Sequence, residues 1–563
     1  GWHRGPSGEL VRRLKLLSFV FVLTAFLMAS SQAYAQKTYD SVLDKGLKND
    51  EAYSMSLVEK AKDSPDKRAL LAEALHFSPD VPALYFKLSW ASLPNVFASL
   101  QYFVGGIKAY SRSFWWSFSL LALMGGSFFV AMAAAAALIV LVRLPVQIPL
   151  LSHDINESKV KLLIPLILFP AALGGPLFFL AGALVVVSIH LKKLNKLPVY
   201  LVLVALVISP VFLRVANGLM SAAASPELRA IVAVNEGRDN AFALRQLSDS
   251  ESMQGRFSYA LALKRVGRFD EAESIYLDLA AKKPDWRVLN NLANIYSAQN
   301  RTDEAKETLK KASEMMPRAI LLYNLSQVYR GTLDYAEGDK YYNEASAMDR
   351  DAVSRYTSVA NVNPNRFVID ATYSAADFWK MIIGRSGDYL NIFPMGSLPA
   401  AGLAAFLLIV SAVLGATVHS TAFRCSRCSK IVCNICSRDS RWGQMCPDCY
   451  GSLVRVKNMD RQKRVSALLT AYQQKDKINR IVRILSFFPP GIAQISIGRT
   501  LSGFAFLWAF CFFVALVWLN PLVGTGLGGF THSWLAAPSV LAAVVVYASS
   551  TIYVGGRLDS GWL

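Results

Sequence analysis

Gly267-Arg268-Phe269-Asp270-Glu271-Ala272-Glu273 returns 33 residues later as Asn300-Arg301-Thr302-Asp303-Glu304-Ala305-Lys306, and Pro284 and Pro317 keep the same offset. A period of this size is the mark of a small helical unit that cannot bury its apolar face alone, so neighbouring copies must stack into one core. The surrounding stretch, 226–394, is soluble in composition. Its flanking helical patterns, 239–252 and 351–380, are expected to cap the stack. The fold class that follows is all-α, with an α-solenoid at its centre.

These residues resemble the tetratricopeptide repeat family, which has a period near 34, small residues where its two helices cross and Pro at the unit's end. In the middle unit Leu292-Ala293, Tyr296, Ala305, Leu309, Ala312 and Pro317 fall at the family's knob, hole and terminator positions. A third unit, Leu325-Ser326, Tyr329 and Tyr335-Ala336-Glu337, reads as degenerate, its turn shortened by about two residues. Upstream, Ala72-Glu73-Ala74-Leu75-His76-Phe77-Ser78-Pro79-Asp80 followed by Ala83-Leu84-Tyr85 resembles one half-repeat. The resemblance implies a concave groove that binds a protein or peptide partner.

Outward from the repeats the chain becomes apolar. Of its 563 residues 53% are hydrophobic and 18% charged, a balance that points to a membrane protein, and a formal charge of +19 then fits cytoplasmic loops as well as nucleic acid. Gly1–Leu10 carry no initiator Met, and the natural start is expected near Val11. Arg12-Arg13-Leu14-Lys15, the apolar run to Met28 and Ala33-Tyr34-Ala35 read as a secretory signal over 1–35, either cleaved after Ala35 or kept as an anchor. An exported helical region is expected over 36–112. The membrane region 113–221 holds a span at 114–142, a broken segment at 162–190 and a span at 197–220. Pro165, Pro170 and Gly174-Gly175-Pro176 divide the broken segment into halves too short for about 30 Å of hydrocarbon, giving a re-entrant hairpin or else one kinked span. Further spans are expected at 398–419 and as a hairpin over 485–555.

Between spans lie six of the seven cysteines, in three Cys-x-x-Cys pairs: Cys425/Cys428, Cys433/Cys436 and Cys446/Cys449. Each pair presents two sulfurs from one tight turn, and two such turns make a four-thiolate zinc site that folds a loop too small for its own core. Chain length favours Cys425, Cys428, Cys446 and Cys449. Cys433 and Cys436 either replace one pair or share a second metal. The knob, 422–452, is expected to be cytosolic, where thiols stay reduced. A basic amphipathic helix over 453–484, from Arg455 to Arg483, is expected to contact anionic lipid, with nucleic acid the lesser use.

A cytosolic knob puts the repeats outside, and the signal sends 36–112 outside too. An even number of crossings must then separate them, which the re-entrant reading supplies. No Asp, Glu, Lys or Arg interrupts 114–142, 162–189, 399–418, 501–519 or 534–554, so a proton or ion path is disfavoured. No phosphate loop, metal-binding His pair or nucleophile elbow stands out, and no enzyme is expected. As a whole the chain resembles multi-pass tetratricopeptide membrane proteins of bacteria, chiefly deltaproteobacteria, which carry no assigned activity. That likeness implies an inner-membrane scaffold or assembly protein with periplasmic repeats and a cytosolic zinc knob. A transport or channel subunit, or a zinc-dependent regulator, are the alternatives.

Overall fold

The computed structural model describes residues 49–157, 160–191, 193–208, 222, 225–238, 241–362, 368–384, 397–417, 422–425, 427–433, 445–453, 461–523 and 530–559. The signal segment 1–35, the second half of the span at 197–220, Cys436 and the glycine turn 524–529 lie outside them.

Four helices open the described chain: α1 (Glu51–Lys60), α2 (Lys67–Phe77), α3 (Pro82–Ala91) and α4 (Val96–Arg112). Asp50 and Asn95 cap α1 and α4 by accepting from Tyr53 N–H (3.0 Å) and Ala98 N–H (3.1 Å), and Pro82 starts α3 where a missing N–H is harmless. Then α5 (Phe114–Glu157) runs for 44 residues. The sequence places its end at Val142, before Arg143; the structure carries it on through Pro145 and Pro149. Each proline removes one helical hydrogen bond. Arg424 donates to the Val146 carbonyl in this proline-bearing turn at 2.9 Å, and Leu150 and Leu151 remain buried beyond it. Next, α6 (Val160–Leu173) and α7 (Pro176–Ser188) fold back on each other at Gly175, whose φ of +96° suits glycine alone. Helix α8 covers 197–208.

After α9 (Pro226–Asn235) and α10 (Ala241–Leu247) come three helix pairs of constant size, α11/α12 (Met253–Arg265, Phe269–Lys282), α13/α14 (Trp286–Ala298, Thr302–Met315) and α15/α16 (Ala319–Gly331, Tyr335–Met348). First helices have 13 residues and second helices 14 in every pair. The expected shortened turn in the third unit is therefore corrected: 332–334 matches 266–268 and 299–301 in length. Ala336, which seemed to fill the crossing position, is exposed. Gly338 fills it instead, buried in register with Ala272 and Ala305, and a Cβ there would meet the Ser326 carbonyl at 3.3 Å and Arg330 Cγ at 2.7 Å. What weakens this unit is Leu333, which takes the left-handed turn position (φ +63°) that Gly267 and Asn300 take in the other two. Its side chain is 73% exposed, so it gains little packing in return. Leu333→Gly is expected to raise the stability of the repeats by about 1 kcal/mol, read by urea denaturation followed by circular dichroism. α17 (Arg350–Val362) follows the stack, and α18 (Ala375–Gly384) packs elsewhere.

The two soluble stretches, read from sequence as separate, share one core. Leu57, Leu71, Leu84, Phe86 and Trp116 pack with Leu228, Ile231, Val232, Leu247 and Phe378. Asn49 and Arg238 pair as a parallel bridge, and the buried Arg238 guanidinium meets Glu51 (3.4 Å) and Glu236 (2.7 Å).

The remaining elements are α19 (Ser397–Thr417), the antiparallel ribbon β1 (Ala422–Arg424) and β2 (Ile431–Cys433), α20 (Pro447–Leu453), α21 (Arg461–Ser486), α22 (Ile492–Ser496), α23 (Thr500–Val523) and α24 (Ala536–Asp559). Among the described residues, three helical segments are long and apolar enough to cross a membrane: Phe114–Leu151, Thr500–Pro521 and Ser533–Leu558. Helix α23 packs antiparallel to α5, Trp508 against Phe128 at one level and Leu519 beside Gly126 at another. The tip that joins α23 to α24 docks where α5 begins. Trp534 Nε1–H donates to Tyr110 (2.8 Å), Tyr110 O–H to His532 Nδ1 (2.8 Å), and His532 Nε2–H to Ser119 Oγ (2.9 Å). Ser119 in turn donates to the Trp116 carbonyl at 3.2 Å, so one neutral imidazole satisfies the whole relay. Burial lowers His532 to about 4, which keeps it neutral.

Candidate metal centre and repeat groove

The knob is built by two tight turns. Between β1 and β2, Cys425 N–H donates to the Lys430 carbonyl and Ser429 N–H to the Cys425 carbonyl, both at 2.9 Å, so the chain reverses around Cys425 and Cys428. Cys446 and Cys449 straddle the start of α20. The four Sγ atoms lie within 4.8 Å of one another, Cys428 and Cys446 at 3.5 Å, and Cys425, Cys446 and Cys449 are buried. A tetrahedral ion with metal–sulfur bonds of about 2.3 Å needs sulfurs about 3.8 Å apart, so the four thiols fit one.

Their electrostatics agree. Burial pushes the Cys425 thiol up, yet the N–H groups of Cys428, Cys446 and Arg427 aimed at its sulfur outweigh it and bring it down to about 7. Cys446 N–H lies 3.3 Å from that sulfur. Burial holds Cys446 and Cys449 above the usual thiol range. Four thiolates this close need a cation to offset their repulsion. Lys430 and Asp448 join the two turns at 3.3 Å, both well exposed, and add little.

Of the six cysteines singled out by spacing, the structure brings four together. Ribbon register sets Cys433 opposite Ala422, at the strand end away from the Cys425/Cys428 turn. The Cys433 side chain and all of Cys436 lie outside the described residues.

The groove of the repeats holds a second constellation, which the sequence reading missed. The extended residues 368–374 run along the inner helices α11, α13 and α15, antiparallel to the order of the repeats, and are gripped by asparagines. Asn324 accepts from Ile369 N–H (2.7 Å) and donates to its carbonyl (2.8 Å). Asn291 does the same at Ala371, at 2.8 and 3.0 Å. Asn235, on α9, accepts from Tyr373 N–H at 2.8 Å. Asn290 and Asn294 also donate to the Ile369 carbonyl. One side chain of the strap is read by charge: Asp370 pairs with Lys264 and accepts from Asn294 at 3.1 Å. Asn290, Asn291, Asn294 and Asn324 are fully buried. Buried carboxamides must be satisfied, and here the strap's main chain satisfies them. Asn290, Asn291 and Asn294 on one helix, with Asn324 one repeat after Asn291, were the available signal: amides where helix packing wants apolar residues.

Residues 287–318 match the family profile described as tetratricopeptide repeat, covering α13 and α14. No curated protein matches the chain.

Proposed function

We propose that the protein is a multi-pass scaffold of a bacterial cytoplasmic membrane, a binding protein and not an enzyme, with repeats in the periplasm and a zinc-bearing knob in the cytosol. The repeats take a protein partner on one side and the knob meets a second component on the other. One observation carries the reading: α5 starts inside the core shared by both soluble stretches and ends against the knob, where Leu150 packs on Ala422. From Phe114 to Leu150 it advances about 54 Å at 1.5 Å per residue, against about 30 Å of hydrocarbon.

The shared core supports the same topology. Segments packed into one body lie on one side, so the chain between 112 and 225 crosses an even number of times. α5 and the 197–220 segment supply two crossings, and α6 and α7, of 14 and 13 residues, are left as the re-entrant hairpin. The docked tip 530–534 marks the repeat side. At the knob side stand Arg143, which donates to the Ile495 carbonyl at 3.3 Å, and Arg499, which donates to Tyr553 OH at 2.6 Å, in keeping with the basic bias of cytoplasmic faces. On α21 Val465, Leu469 and Tyr472 form an exposed apolar row among basic residues, suited to an anionic membrane surface. Four thiolates in a closed tetrahedron suit zinc, and reduced thiols suit the cytosol.

Cysteine labelling in intact cells tests the topology, using the full chain with Cys511→Ser and either Glu314→Cys on α14 or Gln473→Cys on α21, both exposed positions. A membrane-impermeant maleimide is expected to label the first in intact cells and the second only after lysis. The reverse pattern overturns the reading. Partner capture is tested with the full chain, because the first repeat helix, through Leu261 and Ala262, shares a core with residues 57–118.

A further inference from the structure

We propose that the groove of the repeats is a main-chain-reading site for an extended segment of a partner protein, and that residues 368–374 occupy it in its place until displaced. The inference rests on the reading of the repeats as a partner-binding module and names the partner's chemistry: an extended peptide with an acidic residue at the level of Lys264.

The strap is held by its backbone. At Ile369 and again at Ala371 a single carboxamide takes both the N–H and the C=O, as a neighbouring β-strand would, and such a grip is indifferent to side chains. Asp370 adds a charged contact, through Lys264 and Asn294, and Val368, Ile369 and Tyr373 add apolar ones, the Tyr373 ring lying 4.8 Å from that of Phe257. Any extended peptide that places a carboxylate there presents the same donors and acceptors.

Vacating the groove is unfavourable, because the amides of Asn290, Asn291, Asn294 and Asn324, buried under the strap, would exchange their strap partners for water together. A competing segment restores all of those bonds, so filling passes from the strap to the partner with the ladder satisfied at both ends of the exchange. The strap holds the advantage of being tethered, equivalent to a local concentration of order millimolar. A free partner segment therefore wins only when it is itself held nearby, by other contacts to the scaffold.

The test uses the full chain in detergent and a fluorescein-labelled peptide of residues 367–375. Ile369→Pro/Ala371→Pro removes two of the three strap N–H groups that the asparagines accept. The peptide is expected to bind this variant at least tenfold more tightly than wild type, and to lose at least tenfold when Asn291→Leu and Asn324→Leu are added or when its own Asp is replaced by Lys. Equal affinity for wild type and strap variant, or binding indifferent to the asparagines, overturns the proposal. Should the strap variant lose its helicity, hydrogen exchange on wild type decides. Excess peptide must then speed exchange of the Ile369 and Ala371 amides, and unchanged rates overturn the exchange. A peptide-resistant dimer of the strap variant assigns the groove to a second copy and overturns the partner assignment. These outcomes are separate from those of the labelling experiment, since the ladder exchanges peptide or fails to whichever side of a membrane it faces.

Discussion

Metal analysis of the purified chain is expected to give one zinc per molecule, and Cys446→Ser or Cys425→Ser to give none. Among its described residues the knob has almost nothing else to hold it. Its ribbon has three residues in each strand and α20 has seven. Its core is Cys425, Val432, Cys446 and Cys449, with Phe423, Cys428 and Met445 at the edge. So small an apolar core cannot offset the backbone entropy of ordering the turns, and a bound ion would add its binding free energy to folding. Chelation should therefore open the knob to protease between 425 and 453 while the repeats stay helical. Cys433→Ser and Cys436→Ser are expected to leave one zinc bound, because the other four sulfurs already lie within 4.8 Å of one another and can hold one ion. Two zincs per chain, or loss of metal on changing the middle pair, would overturn the four-cysteine assignment.

Legibility followed distance along the chain. The Cys-x-x-Cys pairs were readable because each turn is local, and the joining of Cys425 and Cys428 to Cys446 and Cys449 needed only a short return of chain. The middle repeat was readable because Leu292, Ala293, Tyr296 and Ala305 pack within their own pair or the next. The third misled because Ala336 is small and close to Tyr335, whereas the constant spacing of the helices put Gly338 at the crossing. The strap was not readable from its own residues: Asn324 and Asn291, the one signal, meet partners 45 and 80 residues away, and nothing in Ile369-Asp370-Ala371 marks it as a ligand. Nor did composition show that 49–118 and 225–262 are one body. At that junction Arg238, a single charge in an otherwise ordinary turn, pairs with Glu51 and Glu236 beside the shared apolar core.

Arg238→Met is expected to destabilise the junction of the two soluble stretches by about 3–5 kcal/mol, the cost of breaking a buried ion pair from one side. The guanidinium is 3% exposed and serves Glu51, 2% exposed, and Glu236, and it also donates to Ser113 Oγ. The two carboxylates do not depend on it equally. Glu236 sits at the start of α5, where it accepts from Phe114 N–H and from Ser113 Oγ (3.1 Å), so the positive end of a 44-residue helix still favours its charge once Arg238 is gone. Glu51, as the first residue of α1, also keeps a favourable helix end, but it loses its ion pair with Arg238 and lies deeper, so desolvation weighs more on it. Adding Glu51→Gln to Arg238→Met is accordingly expected to recover at least about 1 kcal/mol, while adding Glu236→Gln recovers less, because it also gives up the charge at the helix start. Hydrogen exchange of the α1 and α9 amides reads both effects, since these helices open together only if the network joins them. A loss below about 1 kcal/mol for Arg238→Met, or exchange that rises in α1 alone, would mean that apolar packing of Leu57 and Leu71 against Ile231 holds the two stretches together without the buried charges.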